Sequence, residues 1–125
     1  MNILVVDDEA DVKPLFEQRF RKEIRNGESS FSFALSASEA FAYLEQHPAE
    51  TSIILSDINM PGMSGIELLR QVRMRYNAPP PVIVMITAYN DQELHQQVLQ
   101  NGADDFLTKP LDFRMLKNKL KMLAL

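Results

Sequence analysis

Three short runs of uninterrupted apolar residues, Ile3–Val6, Ile53–Leu55 and Val82–Ile86, restrict what this chain can fold into more than any other feature. A strand wetted on one face alternates apolar and polar side chains. A run that is apolar throughout and closed by turn residues suits a strand covered on both faces of a parallel sheet. A further segment, Phe31-Ser-Phe33-Ala-Leu35-Ser, does alternate and is expected nearer a sheet edge, and a fifth short strand is expected at Asp105–Thr108.

Helical patterns fill the intervals. Val12, Leu15, Phe16, Phe20 and Ile24 recur on one face, with Asn26-Gly27 as a stop and Pro14 in the first turn, where its missing N–H costs little. The next three helices are expected to open on capping-box spacing, an oxygen-bearing cap with glutamate three residues on: Ser36 with Glu39, Ser64 with Glu67, and Asn90 with Glu93. Their ends are expected near His47-Pro48, near Asn77 before Pro79-Pro80-Pro81, and at Asn101-Gly102. A last helix should run from about Asp112 to the terminus with Phe113, Leu116, Leu120 and Leu123 as its apolar face. Five βα units without a linker or repeat make one α/β domain over residues 1–125. Right-handed crossovers then imply a flavodoxin-like (βα)5 three-layer sandwich, a five-stranded parallel sheet in the order 2-1-3-4-5.

Composition narrows the chemistry. The absence of cysteine removes disulfides and thiolate metal sites. No apolar run approaches the ~20 residues of a membrane span. Met1 leads almost directly into the first strand, so no signal peptide is expected, and the expectation is a cytoplasmic protein without membrane contact. A net charge of -4 argues against direct binding of nucleic acid, whose affinity comes from neutralised phosphates.

In open α/β sheets ligands bind beyond the carboxyl ends of the strands. Four of the expected strand ends carry Asp7-Asp8, Asp57, Thr87 and Lys109. Each has an ordinary explanation alone: Asp57 capping a turn, Asp7-Asp8 opening a helix, Lys109 in an internal ion pair, Thr87 capping a loop. Those explanations serve the set poorly. Carboxylates ~5 Å apart at an effective dielectric of ~20 repel by about 3 kcal/mol per pair. A hard divalent cation compensates most simply; Mg²⁺ suits a few carboxylate oxygens plus water and phosphate oxygens, with Mn²⁺ able to substitute. Lys109 adds a point charge and Thr87 a hydroxyl, which together cradle a phosphoryl group beside Asp57. A carboxylate can itself be the nucleophile, forming an aspartyl phosphate.

With these residues assembled, the chain resembles a response-regulator receiver domain of two-component signalling systems over essentially its full length. The resemblance rests on Val5-Val6-Asp7-Asp8, on Ser56-Asp57-Ile58-Asn59-Met60-Pro61-Gly62-Met63-Ser64-Gly65, on Thr87-Ala88, and on Gly102-Ala103-Asp104-Asp105-Phe106-Leu107-Thr108-Lys109-Pro110. It implies that Asp57 accepts phosphate from a histidine kinase or a histidine phosphotransfer protein. It implies that Asp8, Asp57 and the backbone carbonyl of Asn59 hold Mg²⁺, with Asp7 acting largely through a bound water. Thr87 and Lys109 would engage the phosphoryl oxygens, and the Lys109-Pro110 bond would be cis. Phe106 matches the switch aromatic, which would turn inward as Thr87 moves and so change the face formed by the fourth helix, fifth strand and fifth helix. The alternative for Phe106 is plain core, and without a hydroxyl it can supply only the packing part of a switch. Asn59 and Tyr89 occupy positions that tune loss of the phosphate; bulky Tyr89 implies slow self-dephosphorylation. The implied protein is no enzyme in the ordinary sense, although it catalyses its own phosphorylation. A homodimer through the switch face and an effector domain beyond the C-terminus are further implications, as is a stand-alone regulator acting by contact.

Three rival functions fit these residues less well. A haloacid-dehalogenase-type phosphatase also forms an aspartyl phosphate but has a second aspartate where Asn59 stands, and carries its nucleophile on the first strand. A flavin carrier of the same fold would set a phosphate beside Asp7-Asp8-Glu9, which repel it. A receiver-like adaptor that binds partners without phosphorylation would not need the intact set Asp7, Asp8, Asp57, Thr87 and Lys109. His47 and His95 fall in polar helical stretches and are expected on the solvated surface. Met60 and Met63 are expected to cover the acceptor loop. Arg114, Lys117, Lys119 and Lys121 make the last helix basic, either complementing its dipole or meeting acidic residues such as Asp104 and Asp105 of a partner.

Overall fold

The computed structural model describes residues 1–47, 50–77, 80–88 and 92–123. The expected cap at Asn90, the residues Pro48, Pro79 and Tyr89, and the last two residues of the chain lie outside them. Strands β1 (Asn2–Val6), β2 (Ser30–Ala34), β3 (Ile53–Asp57), β4 (Val82–Thr87) and β5 (Asp105–Thr108) form one parallel sheet in the order β2-β1-β3-β4-β5. Between and after them run α1 (Val12–Arg19), α2 (Arg21–Arg25), α3 (Ala37–Gln46), α4 (Gly65–Arg75), α5 (Gln92–Gln100) and α6 (Phe113–Leu123).

The two-residue side-chain period of a strand divides the core into two layers. Leu4, Val6, Ile54, Ile83 and Met85 point to one face, where they meet Phe41 and Leu44 of α3, Leu68, Leu69 and Val72 of α4, and Val98 of α5. Ile3, Val5, Ile53, Leu55, Val84, Ile86 and Leu107 point to the other and meet Phe16, Phe20, Leu116 and Leu120. Burial on both faces is why the runs in β1, β3 and β4 are apolar without alternation.

Two expectations need correction. The first helical pattern is not one helix: it divides at Phe20 (φ -106°, ψ 19°) into α1 and α2, so the expected fourth and fifth helices are α5 and α6. The i to i−4 bonds persist across the break, Phe20 N–H to Phe16 and Ile24 N–H to Phe20. The turn keeps Phe16 and Phe20 in an aromatic cluster with Phe31, Phe33 and Phe113, while Leu15 and Ile24, expected on the buried face, are exposed. Likewise Leu35 falls beyond the end of β2 and is exposed.

The caps at Ser36 and Ser64 form as the spacing predicts, each side-chain oxygen accepting the backbone N–H of the glutamate three residues on. At Gly65 a side chain has no room, because a Cβ would collide with the Asp57 carbonyl oxygen and the Cα of Ile58. That close approach seats the start of α4 against the end of β3, sealed by a Gly65 N–H to Ile58 carbonyl bond of 2.8 Å.

Candidate functional site

Register decides which side chains meet. Val6 pairs with Ser56, so Asp7 continues β1 opposite Asp57 at the end of β3. Asp57 pairs with Ile86, which pairs with Leu107, and Lys109 follows two residues later on the same face. The Lys109 backbone is held there by its N–H to the Thr87 carbonyl at 2.8 Å, and the Lys109-Pro110 bond is cis. By the same alternation Thr87 and Phe106 project on the opposite face, toward the α5 layer.

Ligand oxygens of Asp7, Asp8 and Asp57 all lie within 4.8 Å of one another. Asp7 and Asp57 are buried and Asp8 is exposed, so the cluster opens to solvent on one side. The Lys109 ammonium stands 3.3 Å from Asp57 Oδ2 and 3.5 Å from Asp7 Oδ2. Asp7 also accepts the Glu9 backbone N–H through Oδ1 at 2.9 Å, which orients its carboxylate. Thr87 is fully buried at the end of β4, and Asn59 is exposed two residues beyond Asp57.

The electrostatics are asymmetric. Burial is the largest influence on Asp57 and, with Asp7 beside it, holds its carboxyl above the ordinary aspartate range despite Lys109 and a backbone hydrogen bond from Asn59. Burial would depress Lys109, but Asp57 and Asp7 outweigh it and hold the ammonium above its ordinary value. Three carboxylates face one ammonium, which pairs with two of them. A divalent cation fits the donors present: hard carboxylate oxygens, close together, under-neutralised and reachable through the Asp8 side.

Several residues sit elsewhere than sequence reasoning put them. His95 is not solvated surface: its ring is stacked on Phe106 with centroids 3.7 Å apart and planes at 21°, and its Nε2 is buried. The available signal was its spacing three residues before Val98, the buried residue of α5. His47 does lie at the surface, its side chain 40% exposed, stacked on Tyr43 and 3.0 Å from Glu50. Met60 is core, and Met63 packs against it from the loop. Asp104 and Asp105 are engaged within the chain, by Arg73 and Lys119, and Lys117 pairs with Glu23.

The sheet and its acidic pocket define a doubly wound α/β protein with three carboxylates and one ammonium gathered at the carboxyl end of its strands. Residues 3–121 match the Response regulator receiver domain family, and the chain belongs to it. It is 32% identical to Response regulator RppA of Synechocystis over 98% of its length, spanning 50% of that protein. The solved structure of a probable two-component system response regulator/GGDEF domain protein superposes with a TM-score of 0.85 at 32% identity, over 98% of this chain and 48% of the other. The chemotaxis protein CheY4 of Vibrio cholerae gives 0.83 at 27% identity, over 98% of this chain and 97% of that one. The chain thus spans about half the length of the first two.

Proposed function

We propose that this protein is a phosphorylation switch whose acceptor is Asp57. The observation that carries the reading is the convergence of three carboxylates within 4.8 Å with an ammonium 3.3 Å from Asp57. An Asp57 carboxylate oxygen attacks the phosphorus of a phosphohistidine on a histidine kinase or phosphotransfer protein. The P–N bond breaks, and the imidazole leaves and takes up a proton. Asp7, Asp8, Asp57 and the Asn59 carbonyl would hold Mg²⁺, or Mn²⁺ in its place, which when bound offsets charge on the carboxylates and the phosphoryl oxygens. Lys109 offsets the remaining charge, and Thr87 turns from the α5 layer to donate its hydroxyl to a phosphoryl oxygen once the group is in place. Positioning and neutralisation are the whole catalytic requirement, since no proton need be removed from a carboxylate.

Beside the pocket opens a groove of about 790 Å³ lined by Val12, Leu15 and Phe16 of α1 and by Pro110, Leu111 and Phe113. Its apolar walls and its contact with Asp7 and Lys109 suit the approach of a phosphodonor protein. Thr87 and Phe106 then carry the state to the α5–β5–α6 face, which serves an attached effector, a separate partner or a second copy of the chain. Phosphorylation biases that face by adding charge that one arrangement accommodates better than the other. Asn59 and Tyr89 set how fast water removes the phosphate, and the isolated domain holds it longer than seconds.

Incubation with Mg²⁺ and acetyl phosphate, followed by intact mass, tests the reading. One phosphoryl group should appear on the wild type and none on Asp57→Asn. Equal uptake by both proteins, or none by the wild type, overturns it.

A further inference from the structure

The contact between His95 and Phe106 has the form of a releasable latch. Aromatic pairs usually sit with centroids 4.5–7 Å apart, offset or edge to face. At 3.7 Å and 21° the imidazole of α5 covers the Phe106 ring almost face to face. Phe106 lies opposite Met85 in the β4–β5 register, two pairs before Thr87 and on the same side of the sheet. It is only partly buried and packs against the core beneath α3, α4 and α5. An apolar side chain at position 95 would hold Phe106 without penalty. Histidine does not: its Nε2 is buried without a hydrogen-bond partner among the described residues, a standing cost that is relieved when the rings part. The contact therefore holds the phenyl ring while keeping the closed arrangement shallow.

We propose that His95 is the positioning residue for Phe106, and that their stack stabilises the unphosphorylated arrangement and must open for Asp57 phosphorylation to be read out on the α5–β5–α6 face. This rests on Asp57 being the acceptor. A merely structural histidine would affect melting temperature and nothing else. A latch links position 95 to events at Asp57 by reciprocity, because whatever strengthens the stack weakens binding at the pocket.

The test compares wild type, His95→Phe and His95→Ala with Mg²⁺ and beryllofluoride, a phosphoryl analogue, following the Phe106 ring resonances. His95→Phe keeps a ring and removes the unpaired nitrogen, so its stack is tighter and its apparent Kd for beryllofluoride should rise about two- to tenfold. In His95→Ala without beryllofluoride, Phe106 should lose the ring-current shift of the covering imidazole, and His95→Phe should restore one. A Kd for His95→Phe at or below wild type, or unmoved Phe106 resonances in His95→Ala, overturns the latch while leaving the acceptor role intact. Failure of the wild type itself to bind beryllofluoride overturns the acceptor reading and the latch together.

Discussion

Asp57 and Lys109 share one ion pair yet stand on opposite sides of the stability balance. The Asp57 carboxyl lies above its unfolded value, mainly through burial, so its contribution is fully present only below the unfolded pKa of about 3.9 and is lost as pH rises through the folded value. At neutral pH its ionised form is a cost to stability. Asp57→Asn should therefore melt at or above wild type in chelator at pH 7, the gap closing as pH falls toward 4; a variant that melts lower would show that the ionised group stabilises. Lys109 lies above its ordinary value, so its contribution is intact below about 10.4 and lost only above that. Lys109→Met should destabilise by about 2 kcal/mol at pH 7 in chelator, a figure discounted for its partial exposure, and millimolar Mg²⁺ should restore more of that loss than it adds to wild type. Thermal melts with and without Mg²⁺ decide both. These residues were legible in the sequence because each stands at or just beyond the end of a recognisable strand. His95 was not, because its partner ring belongs to β5 and only packing brings the two together.

At the scale of elements, local chemistry told the truth where the cause was local. Ser36 and Ser64 cap α3 and α4 because the oxygen and the backbone N–H lie three residues apart in any such chain. The division of α1 from α2 could not be foreseen, since Phe16, Phe20 and Ile24 keep a four-residue spacing across it. The aromatic cluster against β2 fixes Phe16 and Phe20, and Ile24 turns outward. Gly65 belongs here too, as the glycine that lets α4 start against the end of β3. Gly65→Ala should cost about 3 kcal/mol through overlap with backbone that has little freedom to move. The overlap falls on the carbonyl of Asp57 itself, so acetyl-phosphate uptake should drop alongside stability. Uptake at the wild-type rate in a folded Gly65→Ala protein would show that the acceptor tolerates displacement of its own strand end.

Over the whole molecule, strand order was readable because the sheet's centre and edges carry different patterns: β1, β3 and β4 contain unbroken apolar runs, whereas β2 alternates and β5 is short. What holds the far end of the sheet was not readable, since it depends on one arginine reaching two distant segments. From α4, Arg73 donates to the Gly102 carbonyl at 2.8 Å, the Pro81 carbonyl at 2.6 Å and Asp104 Oδ2 at 2.8 Å, and that same Asp104 oxygen accepts the Ile83 N–H. The staple joins α4 to the entries of β4 and β5, at the opposite ends of those strands from Thr87 and Lys109. Asp104 is 41% exposed, so its charge pairing contributes little; the weight falls on the two carbonyl bonds. Arg73→Ala should destabilise by about 2 kcal/mol, roughly 5–10 °C in melting temperature. Because the pocket rests on strand ends that the staple does not touch, Mg²⁺ should raise the melting temperature of Arg73→Ala by as much as that of wild type, and acetyl phosphate should modify both at the same rate below the transition. A slower rate in the variant would mean that the two ends of the sheet are mechanically coupled, and that phosphorylation at one end can be felt as strain at the other.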